Sequence, residues 1–400
     1  MSAVQATLPL EFNRPTRVVH DWADAGGTGF EIGWDHAQHR LTPPVMHLQP
    51  GCPVRQGWEA GRIVFGPRTR HATPHLRKWL QLRLGAWQRG RAFCTLQVTP
   101  ALLRRICVPM CPIVREPLTH GTGGPLDASV DRVNNDAGYA AGNLAVMSVR
   151  ANGAKAHYMW DDAMNFVRQI EAGALGAIDG LSRNEGPLPS SLTAAGGGPG
   201  CGPDLGALTT AQWARLAVLM SYATPLPHAV AAALPMLVLP PPRLRLLNAV
   251  QCLQALLTLQ FTREGYTQRI AALAELMPCP TTRDALRGLM HTLLARRIAA
   301  GFSADATALR RALEDVWADP LVLRRWQRLA LALTETQCER VVREAMRRGL
   351  AERAVRWLPR ELATEGWALE SRGYVSPSHG QSTATVERVE AASRPVELAA

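Results

Sequence analysis

The residues that could do chemistry are concentrated between Ser129 and Lys155. Aspartate and asparagine side chains offer oxygen donors suited to a hard cation such as magnesium, and arginine is a bidentate phosphate ligand. Metal and phosphate chemistry are therefore what this segment could support, if the fold brings the side chains together. The candidate residues are Asp131, Arg132, Asn134, Asn135, Asn143, Arg150, Asn152 and Lys155.

The elements that must position these side chains are short. Ser129–Val133 has the pattern of a strand, and Asn134–Gly138 has the asparagine, aspartate and glycine typical of a turn. Asn143–Met147 is a second extended piece. Ser148 is a suitable N-cap for a helix over Val149–Glu171. The sequence therefore predicts a hairpin followed by a helix.

This pattern resembles the HNH family of nucleases, whose core is a ββα metal finger. The similarity is to the subgroup written D-R-aliphatic-(D/N)-N, then G-Y, G-N and N-x-x-K, and each of these positions is matched in order and spacing. The resemblance covers residues 111–157 of the 400. It implies a fold class: an α+β N-terminal region that contains a ββα (HNH-type) finger, followed by a mostly α-helical C-terminal domain.

The resemblance also implies roles. Asp131 and Asn152 would hold one divalent cation, magnesium or manganese, which would stabilise the leaving oxygen of a cleaved phosphodiester. Asn143 would fix the hairpin and orient the general base. Arg150 and Lys155 would contact phosphates of the DNA backbone.

One departure from the family concerns the base. Typical members carry a histidine after the strand aspartate, and here that position is Arg132. Arginine stays protonated, so it cannot be the base, although it could contact the scissile phosphate. His120, in the loop before the hairpin, is the substitute candidate. Either the subgroup cleaves with another base, or it only binds.

A second departure concerns zinc. Cys107 and Cys111 precede the hairpin with three residues between them, and the helix-side positions hold Ser148 and Ala151, so a four-cysteine site is absent. A Cys3His site that adds Cys94 and His120 competes with the interpretation that we favour, in which the cysteines are small buried hydrophobes. The sequence thus argues against structural zinc.

The rest of the chain divides by composition. We expect an irregular, short-stranded region (1–70, with candidate strands at 17–20 and 63–65) and an HNH-like module with flanking helices (71–182, core 111–157). A Gly/Pro/Ser-rich linker (183–208), an all-α domain (209–370) and a disordered tail (371–400) follow. The arginine pairs of the all-α domain alternate with acidic residues, so a solvated helical face is their default interpretation.

A basic helix over His75–Arg91 precedes the module. Arg77, Lys78 and Arg83 could form a face that follows nucleic-acid phosphates. The competing interpretation, an ordinary amphipathic helix with solvated arginines, is equally weighted.

Composition restricts the partners. The formal net charge is +11 with a pI near 9.8, and most of the excess lies in residues 1–160. A basic excess attracts nucleic-acid phosphates or an acidic membrane surface, and the resemblance to the HNH family implies DNA, with RNA as the less favoured ligand and no membrane partner. The longest apolar stretch, Ala229–Leu239, is too short to cross a bilayer. Eight scattered cysteines without a signal peptide predict the cytoplasm, in a bacterial or phage-like setting.

Three functions remain open on the sequence. The first, which we favour on the sequence, is a metal-dependent endonuclease of HNH type that hydrolyses phosphodiester bonds, because both Asp131 and Asn152 are kept. The second is a degenerate finger that binds nucleic acid without cleavage, which Arg132 favours. The third is a structural protein whose C-terminal helical domain binds a protein partner.

Overall fold

The computed structural model describes residues 25–180, 208–263, 265–299, 305–351 and 357–369. Within these ranges the chain is mostly helical, with one small two-stranded antiparallel sheet. The described residues divide into two compact units between Ala92 and Phe93. The helices of the first unit are α1 (Ala25–Gln38), α2 (Pro53–Phe65) and α3 (Pro74–Gln88). The elements of the second unit are α4 (Pro100–Ile106), β1 (Ala128–Arg132), β2 (Leu144–Ser148), α5 (Val149–Lys155), α6 (Trp160–Gly180), α7 (Thr210–Tyr222), α8 (His228–Ala233), α9 (Ala249–Leu259), α10 (Tyr266–Glu275), α11 (Pro280–Ala299), α12 (Ala306–Asp315), α13 (Pro320–Leu331), α14 (Glu335–Arg347) and α15 (Arg360–Ala363).

The described part of the first unit, residues 25–92, is helical, so the prediction of a short strand at 63–65 is wrong. The candidate strand 63–65 is the last turn of α2, while the candidate at 17–20 lies outside the described residues. The glycines that suggested loops are the contact surface of two helices. A Cβ on Gly33 would overlap the carbonyl oxygen of Val54, and a Cβ on Gly57 would overlap that of Phe30. Glycine lets the backbones of α1 and α2 approach closely.

Several helices begin at local sequence signals. Thr73 and Thr99 each accept a hydrogen bond from a backbone amide of the first turn, and proline follows each of them. Thr209 and Gln212 form a capping box at the start of α7.

The predicted hairpin and helix are present at the predicted place. β1 pairs antiparallel with β2, with Val130 opposite Val146, and Ser148 caps α5 through its hydroxyl, which accepts from the amide of Ala151 at 3.2 Å. The single helix predicted for 149–171 is two helices. The chain leaves α5 at Ala156, whose φ is 44°, and starts again at α6.

The hairpin belongs to the same compact unit as the helices that follow it. The indole nitrogen of Trp367 donates to the carbonyl of Ala141 at 3.0 Å, and Trp367 is fully buried. The guanidinium of Arg245 donates to the carbonyl of Ala363 at 2.8 Å, and its backbone amide donates to the carbonyl of Gly142 at 3.0 Å. The predicted boundary between a finger module (71–182) and an all-α domain (209–370) therefore differs from this division. The predicted linker, apart from Leu208, and the predicted tail lie outside the described residues.

Candidate functional site

Helix α5 lies on β1 through two polar contacts. Ser129 and Asp131 point to the same face of the strand, since side chains alternate along it. Asn152 donates from Nδ2 to the hydroxyl of Ser129 at 2.8 Å, and the ammonium of Lys155 lies 2.9 Å from Oδ2 of Asp131. Asn152 and Lys155, three residues apart on α5, therefore meet Ser129 and Asp131, two residues apart on β1. The two predicted metal ligands, Asp131 and Asn152, thus share one face but contact different partners.

Lys155 is the centre of this site. Its side chain is 0% exposed and that of Asp131 is 12% exposed. The ammonium also donates to the carbonyl of Arg132 at 2.8 Å and to Oδ1 of Asn135 at 3.1 Å. An ammonium has three N–H donors, and three oxygens surround it here. The predicted phosphate contact of Lys155 does not fit this placement, because the side chain is fully buried and its ammonium already donates to two oxygens beside the Asp131 carboxylate.

Arg132 and Asn143 hold the hairpin turn. The Arg132 guanidinium donates to the carbonyls of Asn135 and Ala137 at 3.0 and 2.9 Å, and it lies 5.3 Å from the ring centre of Tyr139. Asn143 is fully buried, and its carboxamide bonds the backbone of the turn in three places: the amide and carbonyl of Asn134 and the carbonyl of Gly138. Asn143 therefore fixes the hairpin, as predicted. Its contacts within the described residues show no base that it orients.

His120 lies in an exposed loop that Asp127 closes. The Asp127 carboxylate accepts from the hydroxyls of Thr119 and Thr122 at 2.6 and 2.8 Å and from the amide of Gly123 at 2.7 Å. These hydrogen bonds, the two hydroxyls first, lower the pKa of Asp127 from 3.8 to about 2.

The same loop fixes where His120 stands. Its neighbour Thr119 accepts a bond from the amide of Ala128, the first residue of β1. Asp131 is three residues further on, about 10 Å along a strand. His120 therefore stands beside the opposite end of β1 from Asp131.

Cys107 and Cys111 occupy different environments. Cys107 is exposed, while Cys111 is buried, and its sulfur accepts from the amide of Ser148 at 3.3 Å. This contact ties the segment before the hairpin to the start of α5. In the part of the chain that the structure describes, no cluster of three or more histidine, cysteine, aspartate or glutamate side chains could hold a metal ion.

The predicted phosphate-binding residues also differ in their surroundings. Arg150 is partly exposed and pairs with Glu116 at 3.1 Å across the surface. In the first unit, Arg77 is exposed and Lys78 is partly exposed. Arg83 is buried, with one of its nitrogens 2.6 Å from a carboxylate oxygen of Glu31 and another paired with Asp35. Arg83 is thus an internal cation, and the prediction that it contacts phosphate does not fit this environment.

Comparisons with protein-family models, with curated proteins and with solved structures find no match to this chain. No helix in the described ranges is long and apolar enough to cross a membrane. The resemblance to the HNH family therefore rests on residues 111–157 alone.

Two features of the site were missed from the sequence. Lys155 is one of two lysines among 44 basic residues, and this exception in an arginine-rich chain was a signal that a compact ammonium is needed there. The closed loop carried its own signal in Thr119, Thr122 and Asp127, since hydroxyls and carboxylates at this spacing bond neighbouring backbone.

Proposed function

We propose that this chain is a nucleic-acid-binding protein whose β1–β2–α5 segment is an HNH-like ββα module that binds without cleaving. The order of elements and the motif positions on them support the resemblance. The observation that carries the proposal is the buried ion pair of Lys155 with Asp131, because it places a protein cation where the resemblance implies a metal.

A divalent cation does not fit the side chains at this position. Metal ligation by Asp131 needs its carboxylate free, but the carboxylate is neutralised by an ammonium that has two further oxygen acceptors. The carboxamide nitrogen of Asn152 donates to Ser129, which fixes the orientation of this side chain. A metal bound at Oδ2 of Asp131 would have to displace Lys155 from a fully buried site, which would leave two more oxygens without their donor.

The side chains that would activate water are also unsuited to it. Arg132 stays protonated and bonds two carbonyls of the turn. His120 is the remaining candidate, and its neighbour Thr119 bonds Ala128, which is about 10 Å along β1 from Asp131. General-base catalysis needs hydrogen-bond reach of the attacking water, directly or through one further water. This arrangement favours binding over hydrolysis.

Binding needs exposed cations, and the module has them at its edges. Arg150 is half-exposed, and a surface pair such as the one with Glu116 is weak enough to be exchanged for a phosphate. Arg104 and Arg105 are exposed in the last turn of α4. The net charge of +11 attracts phosphate backbones over a longer range.

DNA is the ligand that the family resemblance favours, and the free thiols of the described cysteines fit a cytoplasmic location.

One observation keeps the endonuclease as a second candidate. Asp131 lies on the face of β1 that Asn152 contacts through Ser129, so a rearranged Lys155 would leave two oxygen donors on that face. The family resemblance implies magnesium or manganese as the cation.

The test is plasmid nicking with magnesium or manganese, run beside DNA retention at increasing salt. We expect salt-sensitive retention and no metal-dependent nicking, with the same result after chelation by EDTA. Nicking that is lost in Asn152→Ala but kept in Arg104→Ala would establish the endonuclease instead. Absence of both retention and nicking would refute nucleic-acid binding.

A further inference from the structure

Helix α13 in the second unit has an outer face made of cations. The helix contains three arginines and no acidic residue. Arg324, Arg325 and Arg328 are all exposed, and their spacing of three and four places them on one face. The opposite face is in the core. It consists of Val322, Trp326, Leu329 and Ala330.

Within the described part of the chain, no ion pair involves the arginines of this face. Among the described residues, neither Arg324 nor Arg328 forms an ion pair. The next helix, α14, differs: Arg343 lies 4.0 Å from Glu339, and Arg347 lies 2.5 Å from Glu344. Like charges at helical spacing of three and four repel each other. An unpaired cationic face is therefore unfavourable for α13 by itself and becomes favourable when an anion covers it.

Helix α11 extends this face. Arg325 donates to the carbonyl of Gly288 at 2.6 Å and to the hydroxyl of Thr292, so its guanidinium is held over α11. Arg287 and His291, one position before each of these acceptors, are exposed, and Arg287 pairs with Asp284 on the same helix at 3.3 Å. Together α11 and α13 contain seven arginines and one aspartate. The arginines of α13 are solvated, as expected, but no acidic residue alternates with them in that helix.

We propose that the exposed arginines of α13 and the adjoining surface of α11 form a second binding surface for a nucleic-acid backbone. This inference rests on the proposed nucleic-acid binding and adds a site outside the HNH-like module. The planar guanidinium binds phosphate oxygens in a bidentate manner, and a row of phosphodiesters is the anion that matches the three arginines of α13, a helix without an acidic residue. The matching chemistry is the phosphodiester, which both DNA and RNA supply.

The experiment compares two double variants of the full chain with equal loss of charge. Arg324→Gln with Arg328→Gln removes the unpaired cations of α13. Arg343→Gln with Arg347→Gln removes paired cations of α14 and is the matched control. Affinity is measured by fluorescence anisotropy on a labelled DNA duplex, on a single-stranded RNA of the same sequence and on a poly-glutamate peptide, over a series of salt concentrations. Circular dichroism checks that each variant is folded.

We expect the α13 variant to lower the slope of log affinity against log salt on duplex DNA by about 2, since each phosphate contact contributes about 0.9. The control variant should lower it by less than half of that. A larger effect on RNA than on DNA would identify RNA as the source of the phosphates.

Three results would overturn the inference. Equal slopes for the two variants would show a general charge effect. Loss of poly-glutamate binding with nucleic-acid binding intact would assign the surface to an acidic protein partner. Wild-type protein that binds neither nucleic acid would refute this surface and the proposed function together, whereas metal-dependent nicking with a reduced α13 slope would refute only the non-cleaving module.

Discussion

Replacing Lys155 by methionine tests the centre of the site. Methionine keeps the length and most of the volume of lysine but removes the ammonium. The variant leaves the Asp131 carboxylate, 12% exposed, without its counter-charge, and the Arg132 carbonyl and the Asn135 side chain without a donor. Removing one partner of a buried pair costs about 3–5 kcal/mol. We expect Lys155→Met to lower the free energy of unfolding of the β1–β2–α5 segment by that amount.

The assay is hydrogen exchange of the backbone amides in β1, β2 and α5, followed by mass spectrometry on the full chain. Exchange reports the opening free energy of one segment, so it does not require the two units to unfold together. Arg150→Met is the control, because Arg150 is on the same helix and pairs with Glu116 at the surface. Exposed pairs contribute about 0–1 kcal/mol, and the control should stay in that range.

A double variant separates the charge from the packing. Asp131→Leu with Lys155→Met removes both charges, and an apolar replacement of a buried pair is often neutral or stabilising. The double variant should therefore be more stable than Lys155→Met alone, with a coupling energy within about 0.5–3 kcal/mol. If Lys155→Met cost no more than Arg150→Met, the ammonium would not stabilise the module and our reasoning about the absent metal would be wrong.

Three further predictions concern the same segment. Lowering the pH from about 4 to about 2 should release the loop closed by Asp127. The pKa of this carboxyl is lowered to about 2 in the folded chain, so the carboxylate stabilises the loop above its unfolded pKa and loses this effect as it is protonated. The loop of Asp127→Ala should be cleaved by protease at neutral pH as readily as the wild-type loop is at acid pH. Gly142→Ala should lower the melting temperature, because φ of this residue is +90° and the new Cβ would overlap the Arg245 side chain. Gly153→Ala, which has open space around it, is the control and should not lower it. Equal melting temperatures for the two variants would contradict this prediction. Asn143→Ala should destabilise by about 1–3 kcal/mol for each buried turn group left without a partner, measured as a shift of the urea midpoint.

Local signals explain what the sequence could predict. The hairpin, its turn and the N-cap at Ser148 depend on residues within a few positions of each other, and the strands were located within one residue. The break at Ala156 was missed because the apolar spacing continues across it and gives no sign of the positive φ.

The first unit shows the limit of composition. Glycine is typical of loops, and on that basis residues 1–70 were predicted to be irregular. Gly29 and Gly33 in α1, and Gly57 and Gly61 in α2, are each four residues apart and lie at the contact of the two helices. Spacing of four was the available signal for a helix surface. Only the partner helix explains why that surface lacks side chains.

The roles of charged residues could not be predicted because burial decides them. Lys155 and Arg83 have the residue types of phosphate ligands, yet each is buried against carboxylates that come from another element. Arg324 and Arg328 were interpreted as part of a solvated, mixed-charge face, and the structure gives them no acidic neighbour among the described residues. In each case the role of the cation depends on whether a carboxylate from another element lies beside it, and the local sequence does not contain this information.

The choice of lysine at position 155 follows from its surroundings. Three oxygens from β1 and the hairpin turn point at one small volume. A guanidinium is planar and wider, and its five donors would not all find acceptors there, whereas a compact ammonium has three. A divalent cation would accept the same oxygens but carries a second charge that one carboxylate cannot neutralise. The ammonium therefore holds the hairpin and α5 in a fixed arrangement, which is the physical reason for the proposal to test binding here before cleavage.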